Sequence, residues 1–161
     1  MKKEVLSKVQ FFLLLFTLVF IDLYSKNIAI ENLSYQVSKE TFIPFIDLLL
    51  IYNTGIAFGI FDEGVSYASY VLLVITIIIC FYLIYLFITE ENNKKKIALL
   101  IITAGALGNI IDRAGDGQVT DFLHLKILNT SFFIFNLADA FITLGALLII
   151  YFEIIYRPKN D

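Results

Sequence analysis

The sequence predicts an all-α membrane protein: four transmembrane helices with a small extracytoplasmic β-rich segment lying on the membrane surface. Three observations carry this expectation. The 161 residues are 59% hydrophobic, with a mean hydropathy of +0.83, where a soluble domain has about 45–50% apolar residues. Four apolar runs approach or reach the roughly 20 residues that a bilayer crossing takes. The basic residues are spread unevenly over the segments between those runs, which sets an orientation. The length is that of one domain. No internal repeat or low-complexity linker divides it, so residues 1–161 read as a single membrane-embedded unit.

The first span covers about residues 9–30. Lys2, Lys3 and Lys8 precede it as they would in a signal peptide, but it runs into "IDLYSK" with no small-residue cleavage site, so a retained span is expected. The segment of about 31–66 contains "IDLLLIYNTGIAFGIF", which reads as two apolar strands around an Asn-Thr-Gly turn. The second span, about 67–88, has no charged residue. The third, about 97–112, carries "TAGALGN", small residues that let helices approach closely. About 113–137 opens on a glycine-rich turn and continues as an apolar stretch too short for another crossing; its apolar content argues against disorder. The fourth span is about 138–156. With the N-terminus inside, eight basic residues fall on the inner side against Lys26, Lys39, Arg113 and Lys126 on the outer. Both termini are therefore expected in the cytoplasm.

A net charge of −3 with no basic cluster outside one short loop excludes a nucleic-acid partner. Cys80 is the only cysteine; it has no internal disulfide partner and reads as a buried small hydrophobe. The polar residues of the spans carry more information. At about 1.5 Å per residue, Asp22 lies about 21 Å and Lys26 about 27 Å beyond Lys8. Asn109 and Asp112 lie about 20 and 24 Å beyond Lys96, and Asp139 about 27 Å before Arg157. Three helices thus put polar groups in one outer layer of a hydrocarbon core about 30 Å thick. Asp22 and Lys26 share a helix face, as do Asn109, Asp112 and Arg113. Asp22–Lys26 reads as a structural pair, and Asp112 as an ion pair with Arg113 or another basic residue. Asp139 has no basic neighbour in sequence, and an unpaired acid beside hydrocarbon is costly.

Other hydrolytic chemistries lack their parts. A zinc protease helix needs two histidines, and His124 is the only one; it reads as a surface or interfacial residue. Ser25 and Lys26 are adjacent and do not face each other on a helix. Carboxylates remain. Two aspartates sharing one proton can hydrolyse an amide, since close like charges cannot both ionise easily. Asp139 is one candidate; spacing leaves its partner open among Asp121, Asp112, Asp116 and Asp22.

"DLYSK" (22–26), "NTGIAFG" (53–59), "GALGNIIDR" (105–113), "VTDF" (119–122) and "FNLADA" (135–140) occur in this order over essentially the whole chain. The chain thereby resembles the lipoprotein signal peptidase (signal peptidase II) family. The resemblance implies a bacterial aspartic endopeptidase of the cytoplasmic (inner) membrane. It would cut prolipoproteins on the N-terminal side of a diacylglyceryl-modified cysteine, at the extracytoplasmic surface, and globomycin would inhibit it. It implies Asp121 and Asp139 as the catalytic pair. Asn53, Gly55, Asn109, Arg113, Asn136 and Ala138 would shape the substrate site, with Asp22, Lys26 and Asp112 supporting. No cofactor and no metal is implied, and a monomer among membrane lipids is expected. Leu23, Ser25, Thr120 and Ala140 depart from the commonest family pattern, which bears on substrate preference or rate. A signal helix is expected to dock where Gly105 and Gly108 permit close approach, under a lid formed by about 42–61. The alternative from the residues alone is a small transport or channel subunit using its outer carboxylates for protons or cations. Against it, the inner halves of the spans are nearly bare of polar groups.

Overall fold

The computed structural model describes residues 2–55, 67–127 and 130–155. Four helices, α1 (Lys2–Asn32), α2 (Tyr67–Thr89), α3 (Asn93–Asp116) and α4 (Leu137–Ile155), are joined by three strands, β1 (Ile46–Asn53), β2 (Val119–Ile127) and β3 (Thr130–Phe135). Each helix contains a stretch long and apolar enough to cross a membrane. The expected fold class is the one observed. The helices overrun the expected spans: α1 continues to Asn32 and α3 begins at Asn93 and reaches Asp116.

Helix α3 is the hub, packed against α4, α2 and α1. Its start is capped by Asn92, whose side chain accepts from the Lys94 N–H, and its end by Gly117 in the left-handed region, whose N–H reaches the Arg113 carbonyl at 2.9 Å. Its buried side is Ala98, Leu99, Leu100, Thr103, Ala104, Gly105, Ala106 and Gly108. A methyl at Gly105 would overlap the Ala138 carbonyl and Ile142, and one at Gly108 would overlap the Asp22 carboxyl. These two glycines are already occupied by α4 and α1. The expectation that they receive a substrate helix is corrected: the sequence showed that something must come close there, not which helix. Phe16, Phe20 and Tyr24 instead stack along an exposed face of α1, and α2 exposes Tyr70, Val74, Ile78 and Phe81. Such faces suit an apolar solvent.

The strands form one antiparallel sheet in the order β1-β2-β3 at the end of the bundle where α1 and α3 finish and α4 begins. Ile51 faces Asp121 and Asn53 faces Val119, with a bulge between Leu48 and Ile51. Leu50 and Phe122 pack on Ala29 of α1, bordered by Leu33, Leu48, Tyr52, Leu123 and Leu137. This cluster fixes the sheet to the helices. Bridges from Tyr35 to Leu50 and from Lys39 to Leu48 cover the outer edge of β1, as exposed edges require. Lys126 donates to Asp47 at 2.7 Å and holds that carboxyl below the ordinary range.

Two strand expectations change. Ile46–Asn53 is a strand, but its partner is β2 rather than a strand across the Asn-Thr-Gly turn. The segment expected to supply that second strand, and residues 56–61 of the expected lid, lie outside the described residues. The β2–β3 hairpin was missed, although Leu123, Leu125 and Ile127 alternate with His124 and Lys126 at strand period. His124 is not a surface residue: it is buried in the sheet, and its Nε2 lies 2.7 Å from Ser131 Oγ.

Candidate active site

Asn136 closes β3 and opens α4. Its side-chain oxygen accepts from the Asp139 N–H at 3.0 Å, and Asp139 Oδ2 accepts from the Asn136 N–H at 3.2 Å. This is a reciprocal capping box three residues apart, with a negative charge at the helix N-terminus, where the dipole favours it. It gives Asp139 a structural reason to stand at the mouth of an apolar helix. With its oxygen so engaged, the Asn136 amide turns its Nδ2 to Asp121 Oδ1 at 2.7 Å. One fully buried asparagine therefore touches both Asp121 and Asp139.

Two further amides complete the enclosure. Asn53, at the end of β1, donates from Nδ2 to Asp121 Oδ2 at 2.9 Å. Its own oxygen accepts from the Gly55 N–H at 2.7 Å. Gly55 holds φ +78° and sits against Leu72 of α2; a side chain would be strained in that backbone and would strike Leu72. Asn109 donates from Nδ2 to Asp139 Oδ1 at 2.9 Å and accepts from Lys26 Nζ at 2.9 Å. All three amides are oriented by groups that can only donate, so none can flip without losing a bond. Each carboxylate receives two N–H donors, four in all, from three elements.

Burial pushes the Asp121 carboxyl up to about 6, reinforced by the charge of Asp139 and opposed by the hydrogen bonds from Asn53 and Asn136. Arg113 lies beside both acids; it donates weakly to the Asn53 carbonyl at 3.4 Å, and its Nε is buried with no hydrogen-bond partner among the described residues.

Behind this layer, the Lys26 ammonium contacts Asp22 at 2.9 Å and Asp112 at 3.2 Å. Asp22 accepts the Ala138 N–H at 2.8 Å on its other oxygen, which is where Ala138 enters. Asp112 accepts the Thr120 N–H at 2.8 Å. Its basic partner is Lys26, not its neighbour Arg113. Thr120, one of the departures from the family pattern, also places its hydroxyl 3.4 Å from Asp112, a contact valine could not make. Ser25, another departure, donates to the Asp22 carbonyl at 2.7 Å. Asp116 stays exposed and accepts only from the Gln118 N–H at the end of α3. Of the acids that spacing left open beside Asp139, Asp121 is the one joined to it through a single residue.

The family model described as "Signal peptidase (SPase) II" matches residues 14–155. The chain belongs to the signal peptidase II family. As a signal peptidase II it is a membrane protease of an aspartic peptidase family. Curated proteins named "Lipoprotein signal peptidase" resemble it along most of its length. That of Mesorhizobium japonicum is 36% identical, over 92% of this chain and 89% of the relative. That of Neisseria meningitidis is 32% identical, over 100% and 98%. A solved structure described as a bacterial membrane enzyme superposes with a TM-score of 0.80 at 33% identity, covering 94% of each chain. The transport alternative accounts for none of these likenesses.

Proposed function

We propose that this signal peptidase II cuts diacylglyceryl-modified prolipoproteins on the N-terminal side of the lipidated cysteine, at the extracytoplasmic surface of the bacterial inner membrane. Asp121 and Asp139 act as a pair sharing one proton. The observation that supports this reading best is the bridge through Asn136, which ties the two carboxylates together at the end of the bundle that carries the sheet. The diacylglyceryl chains confine the scissile bond to the membrane surface, and the depth counted for Asp139 along its helix matches that level.

The ionised member of the pair takes a proton from water as the water oxygen attacks the scissile carbonyl carbon. The protonated member gives its proton to the carbonyl oxygen. Collapse of the tetrahedral intermediate breaks the C–N bond, and a proton passes to the departing amine, restoring a singly protonated pair. Burial supports the shared proton, because it disfavours a second negative charge. Arg113, with its free Nε, and Asn53 are placed to hold the substrate backbone.

The test uses purified protein in detergent with a diacylglyceryl-modified precursor. A shortened product whose formation globomycin blocks is expected, and Asp121→Asn and Asp139→Asn should each lower turnover at least about 10³-fold. Turnover retained by either folded variant rejects the pair. Unmodified precursor cut equally well rejects the substrate class.

A further inference from the structure

Lys26 is nearly fully buried and touches neither Asp121 nor Asp139, yet each of its three partners, one hydrogen-bonded and two ion-paired, leads to one of them. Asn109 passes to Asp139 itself. Asp22 passes to the Ala138 N–H, one residue before Asp139. Asp112 passes to the Thr120 N–H, one residue before Asp121. An ammonium has three donors and no acceptor, so the Asn109 amide has its oxygen on Lys26 and its NH2 on Asp139. Reversed, its oxygen would face Asp139 and accept a proton from it.

We propose that Lys26 is a positioning residue for the pair: by fixing the Asn109 amide it keeps an N–H donor, and not a carbonyl oxygen, on Asp139 Oδ1, and so holds Asp139 ready to accept a proton. This rests on the paired-aspartate reading above. The charged groups around Lys26 are Asp22 on α1, Asp112 and Arg113 on α3, Asp121 on β2 and Asp139 on α4. Lys26 is the cation in direct contact with the amide, and its charge also favours an ionised Asp121. Without it, both limbs of the pH profile of kcat/KM should move to higher pH.

The experiment compares Lys26→Met, Asn109→Leu and the double variant with the wild type in one detergent, on a diacylglyceryl-modified precursor. Lys26→Met is expected to lower kcat about 10–100-fold at neutral pH with KM changed less than about threefold, and to move both limbs up by about one pH unit. Because the acid limb is carried through Asn109, the double variant should place it where Asn109→Leu alone does, a non-additive cycle. Asp22→Asn with Lys26→Met removes the buried pair as a whole and supplies a folded protein where the single variant unfolds; its limbs should stay shifted. Folding is followed by maleimide access to Cys80, buried and the only thiol. A wild-type pH profile in the folded Lys26 variants, or additive shifts of the acid limb, overturns the assignment and leaves Lys26 a structural ion. Turnover by Asp121→Asn or Asp139→Asn, measured alongside, instead overturns the pair.

Discussion

Asp121 and Asp139 reach the same site under different constraints. Asp139 belongs to a helix cap and is held by its own turn; Asp121 sits mid-strand, 4% exposed, and is held by Asn53 and Asn136 from two other elements. The burial that pushes Asp121 up to about 6 carries a stability consequence. A carboxyl whose folded value lies above its unfolded one favours the fold when protonated, so that contribution is complete below about pH 4 and lost as pH rises through about 6. Asp121→Asn cannot ionise. Its thermal stability relative to wild type should rise between pH 4 and 7, by on the order of 3 kcal/mol. Melting both proteins across that range checks it, and a constant difference would contradict a buried, raised Asp121. Asn136→Ala should be costlier than an ordinary cap. It removes the helix cap, about 0.5–2 kcal/mol, and leaves Asp121 Oδ1 without its amide, so activity should fall together with stability. Of the two aspartates proposed to react, Asp139 was legible in the sequence as an outer-layer acid, and the resemblance singled out Asp121 as its partner. The partners of Lys26 were only half legible: Asp22 shows at helical spacing, whereas Asn109 lies 83 residues away.

At the scale of elements, the site depends on a sheet pinned to the end of α1 and on a central helix of small residues. Phe122 adjoins Asp121 and faces the other way, into the cluster with Ala29 and Leu50. Phe122→Ala should cost about 3–5 kcal/mol and release β2, so the melting temperature and activity should drop while the helical signal in far-UV circular dichroism persists. An unchanged melting temperature would show that the sheet is held some other way. Gly108→Leu is expected to be worse, since it drives a side chain into the Asp22 carboxyl and Ala138; little folded protein should be recoverable from membranes. Helix existence was legible throughout because lipid-facing apolar runs announce themselves. The hairpin of β2 and β3 was not, because a bulge between Leu125 and Lys126 interrupts its register. Its apolar content also resembles a short membrane segment as much as a strand.

For the whole molecule, the polar residues gather at one end of the bundle and the opposite end carries surface charge: Glu90, Glu91 and the Lys95–Glu153 ion pair. In a Cys80→Ala background, Glu40→Cys should react with a membrane-impermeant maleimide in intact cells, and Glu91→Cys only after lysis. The opposite pattern would invert the proposed orientation. A chelator should leave cleavage unchanged, as expected of chemistry carried by two carboxylates.

The amino-acid sequence alone determined the apolar class, the number of helices fit to cross a membrane, the expected depth of the polar layer and, by its motifs, the family. These follow from quantities that add along the chain, namely apolar length, charge count and rise per residue. Only the tertiary structure decided that one asparagine bridges Asp121 and Asp139, that Gly105 and Gly108 belong to the protein's own helices, and that Lys26 orients Asn109. Those facts depend on which faces of distant segments meet, and packing of three helices and a sheet sets that, not any local preference of the residues themselves.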